Sequence, residues 1–64
     1  METRTYYFPA TRMFVHIMNH ITRRVGCSIG DIHRVGDKYL AVNITTLKHE
    51  FTTIERILHT YDLM

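Results

Sequence analysis

Apolar residues recur at helical spacing in one segment near the N-terminus, and this periodicity constrains the fold more than any other feature of the sequence. With successive residues placed about 100° apart, six apolar side chains fall within a stripe of about 100°. They are Ala10, Phe14, Ile17, Met18, Ile21 and Val25. Such a stripe is typical of a helix that packs on a core. We therefore predict a helix from Ala10 to Val25, which Gly26 ends in the usual C-terminal position.

A second segment near the C-terminus repeats this pattern between Leu47 and Leu63. The apolar side chains that share one helical face are Leu47, Phe51, Ile54, Ile57, Leu58 and Tyr61. Two helix starts fit the sequence, because Thr46 is a suitable early N-cap and the stretch from Thr52 to Glu55 resembles a capping box. Since Leu47 fits the stripe, we favour the early start.

The remaining segments have the composition of β-strands. Residues 3–8 are rich in β-forming side chains and end at Pro9. Residues 32–44 fit a β-hairpin, because Gly36 and Asp37 suit a two-residue turn and apolar residues alternate after it. Such a turn pairs Val35 with Lys38 and would place Asp31 on the apolar side of the sheet. We therefore expect a β-bulge near Gly30 to correct the register.

The predicted order is β-α-β-β-α, an α+β fold in one domain over residues 1–64. Strands one and two are joined by a helix, so they run parallel through a right-handed crossover. The hairpin then places strand three between them, in sheet order 1-3-2, with both helices on one face. This arrangement has five of the six elements of the split β-α-β, or ferredoxin-like, fold. Strand one is expected to be an exposed edge that another chain can extend.

The stretch "VGCSIGDIHRV", from Val25 to Val35, also resembles the turn and recognition helix of phage and bacterial repressors. That resemblance implies a helix-turn-helix DNA-binding domain between Met18 and Gly36. It would place Gly30 in the middle of the recognition helix, at a cost of about 1 kcal/mol relative to alanine. The hairpin needs no such exception, so we favour it.

Composition narrows the cellular setting. Cys27 is the only cysteine, which rules out an internal disulfide and favours a reducing compartment. The first nine residues carry charge where a signal peptide has an apolar run, and no segment approaches the roughly 20 apolar residues of a membrane span. We expect a cytoplasmic protein with no membrane contact.

Features of an enzyme are missing from the sequence. The six acidic residues are scattered, and Ser28, the only serine, has no recognisable triad context. A pocket for a small-molecule substrate would also remove most of so small a core. His16 and His20 have the spacing of two metal ligands, but no second pair completes a site. We therefore expect no enzymatic activity, cofactor or metal.

Polar side chains on the first predicted helix form a cationic surface opposite its apolar stripe. Arg12, His16, Asn19 and Arg23 fall within about 60° of one another, and His20 and Arg24 flank them. No carboxylate from the same helix neutralises them. They are suited to contact nucleic-acid phosphates or an acidic protein surface, and histidine protonation would strengthen either contact. The simpler interpretation is a solvated helix side, or one neutralised by Glu50 or Glu55.

The side of the sheet that the helices leave uncovered is the second candidate surface. We expect Tyr7, Arg34, Tyr39 and Ala41 to lie there. Aromatic rings beside an arginine can stack bases, as in single-stranded nucleic-acid binders. An uncovered sheet with tyrosines is more often the interface of a homodimer.

These surfaces lead to two main hypotheses. The first is a small regulatory protein that acts stoichiometrically on nucleic acid, or on a protein that handles it, through the basic side of the first helix; the net charge of +2 agrees with this. The second is a protein-protein inhibitor or homodimeric adaptor that docks through the sheet edge, a type common among phage and mobile-element accessory proteins. A helix-turn-helix repressor is the remaining alternative.

Overall fold

The computed structural model describes residues 1–64. Five elements follow one another along the chain: β1 (Glu2–Pro9), α1 (Met13–Arg24), β2 (Ser28–Val35), β3 (Tyr39–Thr46) and α2 (Glu50–Thr60). The strands form one sheet in the order β1-β3-β2, with β3 antiparallel to both neighbours. The predicted α+β fold and sheet order are confirmed. Neither helix is long and apolar enough to cross a membrane.

The core lies between one face of the sheet and the two helices. Alternate residues of β1 and β3 point toward the helices, and the apolar stripes of α1 and α2 pack against them. Eleven hydrophobic side chains are buried in one cluster: Tyr6, Phe8, Ile17, Ile21, Val25, Val42, Ile44, Phe51, Ile54, Ile57 and Leu58. Each fully buried aliphatic or aromatic side chain contributes about 1.5–3 kcal/mol of transfer free energy. Most residues of both predicted stripes therefore lie in the core or pack against it, whereas Ala10 and Leu47 do not.

The helix α1 is shorter than predicted at both ends. It begins at Met13, where Thr11 accepts hydrogen bonds from the Met13 and Phe14 backbone N–H groups, at 3.2 and 3.0 Å. It ends at Arg24 because Val25 has an extended backbone, with φ −129° and ψ 127°. Gly26 does not have the left-handed φ of a glycine cap, so the predicted cap is wrong.

The helix α2 begins at Glu50, between the two predicted starts, so both were wrong. The Thr46 hydroxyl caps no helix; it is fully buried and donates a 2.9 Å hydrogen bond to the backbone carbonyl of Gly26. Leu47 lies before the helix, half exposed, and its carbonyl accepts a hydrogen bond from the Glu50 N–H at 2.9 Å. The carboxylate of Glu50, in the first helical turn, suits the positive end of the helix dipole.

The hairpin turn has three residues, Gly36 to Lys38, instead of the predicted two. Gly36 adopts φ +63°, a left-handed conformation that glycine accepts without steric cost. Val35 therefore pairs with Tyr39, and Arg34 pairs with Leu40. A shift of one residue moves each β2 side chain to the other face relative to β3. The predicted pairing of Val35 with Lys38 is wrong.

The predicted bulge is present, since the register between β2 and β3 shifts between Ile29 and Ile32. At this point a Cβ atom on Gly30 would lie 3.4 Å from the Asn43 Cβ, so the two strands approach closely. Apart from Ile29, every β2 side chain is exposed. Because residues 28–35 form this strand, the recognition helix of the helix-turn-helix alternative does not exist, and that alternative is wrong.

Candidate anion-binding surface

The exposed side of α1 brings together five of the six residues that the sequence singled out. Around a shallow depression of about 370 Å³ lie His16, Asn19, His20, Arg23 and Arg24, which we call the basic face. The last four of these residues follow His16 by three, four, seven and eight positions, so all five fall on one side of a helix. Arg12 is exposed at the N-cap of α1 and does not line the depression.

No carboxylate of the chain is paired with the arginines of this surface. The ion pairs join Arg4 to Glu2 and to Glu55, at 2.6 and 3.2 Å. Two weaker contacts join histidines to acids: His33 to Asp31 at 4.0 Å and His49 to Glu50 at 3.5 Å. The interpretation that Glu50 or Glu55 neutralises the basic face is therefore wrong.

Arg23 and Arg24 also have a role that needs no ligand. They lie in the last turn of α1, where cations interact favourably with the helix dipole. This effect contributes about 0.3–1 kcal/mol for an exposed side chain. It accounts for positive charge at this end of the helix, but not for the histidines and the amide beside it.

Tyr61, the C-cap residue of α2, positions the two histidines of the basic face. The His16 and His20 rings lie nearly perpendicular to the Tyr61 ring, with centroids 5.9 and 5.8 Å away. The Tyr61 hydroxyl is 2.9 Å from Nδ1 of His20. Because Nδ1 is engaged in this hydrogen bond, Nε2 is the His20 nitrogen that remains for another partner.

A second depression, of about 240 Å³, lies between the two helices. His20 and Arg24 line it from α1, and Thr53, Arg56, Ile57 and Thr60 line it from α2. The sequence did not identify Thr53, Arg56 and Thr60 as candidate binding residues. Their spacing places them on one side of a helix beside the apolar stripe, but that spacing cannot tell which flank of α2 lies next to α1.

The predicted surface on the uncovered side of the sheet forms only in part. Tyr7 pairs with Ala41 there, and Tyr39 lies beside them; the two tyrosines are 58% and 50% exposed. Arg34 is on the other side, paired with Leu40, and donates a 3.3 Å hydrogen bond to the Asp37 carbonyl. The predicted placement of Arg34 beside the tyrosines is wrong, and the cause is the extra residue in the turn.

Charged side chains also meet between β1 and α2, but there they satisfy one another. The Arg4 guanidinium lies 4.4 Å from the centroid of the Phe51 ring and binds Glu2 and Glu55. The hydrogen bond to Glu2 is the main cause that raises the pKa of Arg4 above its usual value. Burial, followed by the hydrogen bond to Glu55, raises the pKa of Tyr6 to about 12. This network joins the strand to the helix and leaves no unpaired charge for a ligand.

Cys27 has no features of a reactive thiol. Burial raises its pKa, and the charge of Glu50 raises it further, so both favour the protonated form over the thiolate. No group of three or more histidine, cysteine or acidic side chains comes together in a way that could hold a metal ion.

Comparison with known protein families, with curated proteins and with solved structures finds no match to this chain. The function must therefore be inferred from the side chains themselves. The basic face combines two guanidinium groups with an amide and two imidazoles on one helix. Such a set is suited to bind an anion.

Proposed function

We propose that this protein is a small, non-enzymatic binding protein that acts stoichiometrically and contacts nucleic-acid phosphates through the basic face of α1. The observation that carries the proposal is that Arg23 and Arg24 are exposed and free of ion pairs. Arg12 adds a third unpaired cation one turn before the basic face. Because no cysteine pair is present, the cytoplasm is the compartment in which we expect it to act.

The chemistry of the basic face favours backbone phosphates as its ligand. A guanidinium donates two parallel hydrogen bonds to one phosphate, and Asn19 and His20 supply further donors next to it. Phosphate contacts position a protein on nucleic acid without specifying a sequence. We therefore expect binding that depends weakly on sequence and strongly on salt.

The test is reversal of the three arginine charges, with Arg12, Arg23 and Arg24 replaced by glutamate. Fluorescence anisotropy with labelled 20-nucleotide DNA and RNA measures binding between 50 and 200 mM salt, and circular dichroism checks the fold. We expect wild-type binding to weaken steeply with salt and the triple variant to lose it while it stays folded. Arg34→Glu is the control, since Arg34 lies on β2 and not on the basic face. Unchanged binding by the triple variant, or no wild-type binding at 50 mM salt, overturns the proposal.

A homodimeric adaptor or protein inhibitor is the second candidate function. It is favoured by the exposure of Tyr7, Tyr39 and Val35 on the uncovered face and by the free edge of β1. We expect a second copy as the occupant, because a two-fold axis would bring the same exposed face of two chains together. Sedimentation of the wild type and of Tyr7→Ser/Tyr39→Ser tests it. An apolar interface responds little to salt, whereas phosphate binding responds steeply.

A further inference from the structure

The depression between α1 and α2 continues the basic face onto the second helix. His20 and Arg24 line both depressions, so the two share a border. On the far side, α2 contributes Arg56 with a threonine on either side, Thr53 and Thr60. A cation from each helix therefore lies at one groove.

No acidic side chain lines this groove. Glu55 precedes Arg56 in the chain, but its carboxylate contacts Arg4 and the Tyr6 hydroxyl. Glu50, one turn before Thr53, contacts His49 at 3.5 Å. Arg24 and Arg56 thus line the groove, and neither forms an ion pair.

One free hydroxyl donor also lines the groove. Thr60 donates its hydroxyl hydrogen to the Ile57 carbonyl at 2.5 Å, whereas the Thr53 hydroxyl forms no hydrogen bond within the chain. An unpaired hydroxyl in a groove that two arginines also line is suited to donate to an oxyanion. Arg24, Arg56 and Thr53 are the groups that we expect to contact it.

The same side of the protein has no exposed tyrosine on which bases could stack. Single-stranded nucleic-acid binders gain about 1–3 kcal/mol for each base that stacks on an aromatic ring. Tyr61 is partly buried here, with the His16 and His20 rings packed against it. The exposed tyrosines lie on the opposite face of the sheet. A duplex keeps its bases stacked inside and presents its phosphates outside, so it needs no exposed aromatic ring.

We propose, on the basis of the proposed function, that the ligand is a double-stranded nucleic acid whose backbone crosses both helices. One phosphate contacts the basic face, and a second lies in the groove between Arg24 and Arg56. Arg56, together with Thr53, is then a binding residue that the α1 helix alone does not supply.

The test uses Arg56→Gln. Arg34→Gln is the control, because it removes the same charge from β2. Anisotropy measures the affinity of the full chain for a 20-base-pair duplex and for each separated strand, between 50 and 200 mM salt. We expect the wild type to bind the duplex more tightly than either strand. We expect Arg56→Gln to weaken duplex binding roughly five- to tenfold near 100 mM salt and to reduce the salt slope by about 1. Thr53→Val should weaken duplex binding by a few fold, and Arg34→Gln should change neither quantity.

The outcomes separate this inference from the proposed function. A wild-type protein that binds neither duplex nor strand at 50 mM salt overturns both. If Arg56→Gln binds the duplex with the affinity and salt slope of the wild type, only the groove is overturned. The groove is also overturned if Arg34→Gln has the same effect as Arg56→Gln. Tighter binding to the single strands overturns the assignment to a duplex.

Discussion

Glu55 accepts a 2.7 Å hydrogen bond from the hydroxyl of Tyr6, and this contact directs the carboxylate toward β1. Arg4, 3.2 Å away, holds it from a second direction. Because Glu55 is occupied in this way, it does not neutralise Arg56, its neighbour in the chain. The network that joins the strand to the helix therefore also leaves the groove between the helices cationic.

The raised pKa of Tyr6 predicts that the protein loses stability at alkaline pH. Its pKa is about 12 in the folded protein, against about 10 for a free tyrosine. The folded state holds the phenolic proton more tightly, so this contribution to stability is complete below pH 10 and is lost as the pH rises toward 12. Near neutral pH, Tyr6→Phe should be less stable by about 1 kcal/mol, because it lacks the hydrogen bond to Glu55.

Urea unfolding at pH 9 and pH 11.5 checks this prediction. The free energy of unfolding of the wild type should fall between these pH values by more than that of Tyr6→Phe, so the difference between them narrows. Tyr7→Phe is the matched control, because Tyr7 is exposed on the uncovered face and should keep the wild-type pH dependence. If the free energies of unfolding of wild type and Tyr6→Phe differ by the same amount at both pH values, the raised pKa of Tyr6 is contradicted.

Local patterns in the sequence predicted the elements of the fold well. The apolar stripes of α1 and α2 have helical periods, and a buried stripe needs only local spacing to be recognised. The bulge near Gly30 is present, although it was predicted from a two-residue turn that would have buried Asp31, and the turn has three residues. Five residues of the basic face cluster because they share one helix.

Features that depend on tertiary packing were not predicted. Both a two-residue and a three-residue turn accept Gly36, and the choice between them placed Arg34 on the wrong face. The Thr46 hydroxyl resembled an N-cap, but it bonds to Gly26, a residue distant in the chain. Arg56 joined the candidate site only when α2 was placed beside α1.

Two glycines that look alike in the sequence should respond differently to alanine. Gly36 has φ +63°, a conformation that costs an alanine roughly 1–2 kcal/mol. A Cβ atom added to Gly26 would meet no other atom within 4 Å, and the φ of Gly26 is not left-handed. Gly36→Ala should therefore lower the free energy of unfolding by about 1 kcal/mol, whereas Gly26→Ala should leave it unchanged or raise it by about 0.4–1 kcal/mol. Urea midpoints measure both, and equal effects would show that the turn does not have this conformation.

The hydroxyl of Tyr61 tests whether the orientation of His20 matters for binding. Tyr61→Phe removes the 2.9 Å contact with Nδ1 of His20 but keeps the ring against which His16 and His20 pack. Without this hydrogen bond the His20 ring can flip, so Nε2 is no longer held toward a phosphate. We expect duplex affinity to fall by a few fold, with a change of no more than about 1 kcal/mol in the free energy of unfolding.

Tyr39→Phe is the matched control for this experiment, because it removes a hydroxyl from the uncovered face of the sheet. Anisotropy against the duplex at 100 mM salt compares the two variants, and urea unfolding confirms that both are folded. An effect confined to Tyr61→Phe assigns a binding role to His20. Equal affinity in both variants and the wild type leaves the arginines as the groups that hold the phosphates and removes His20 from the contact.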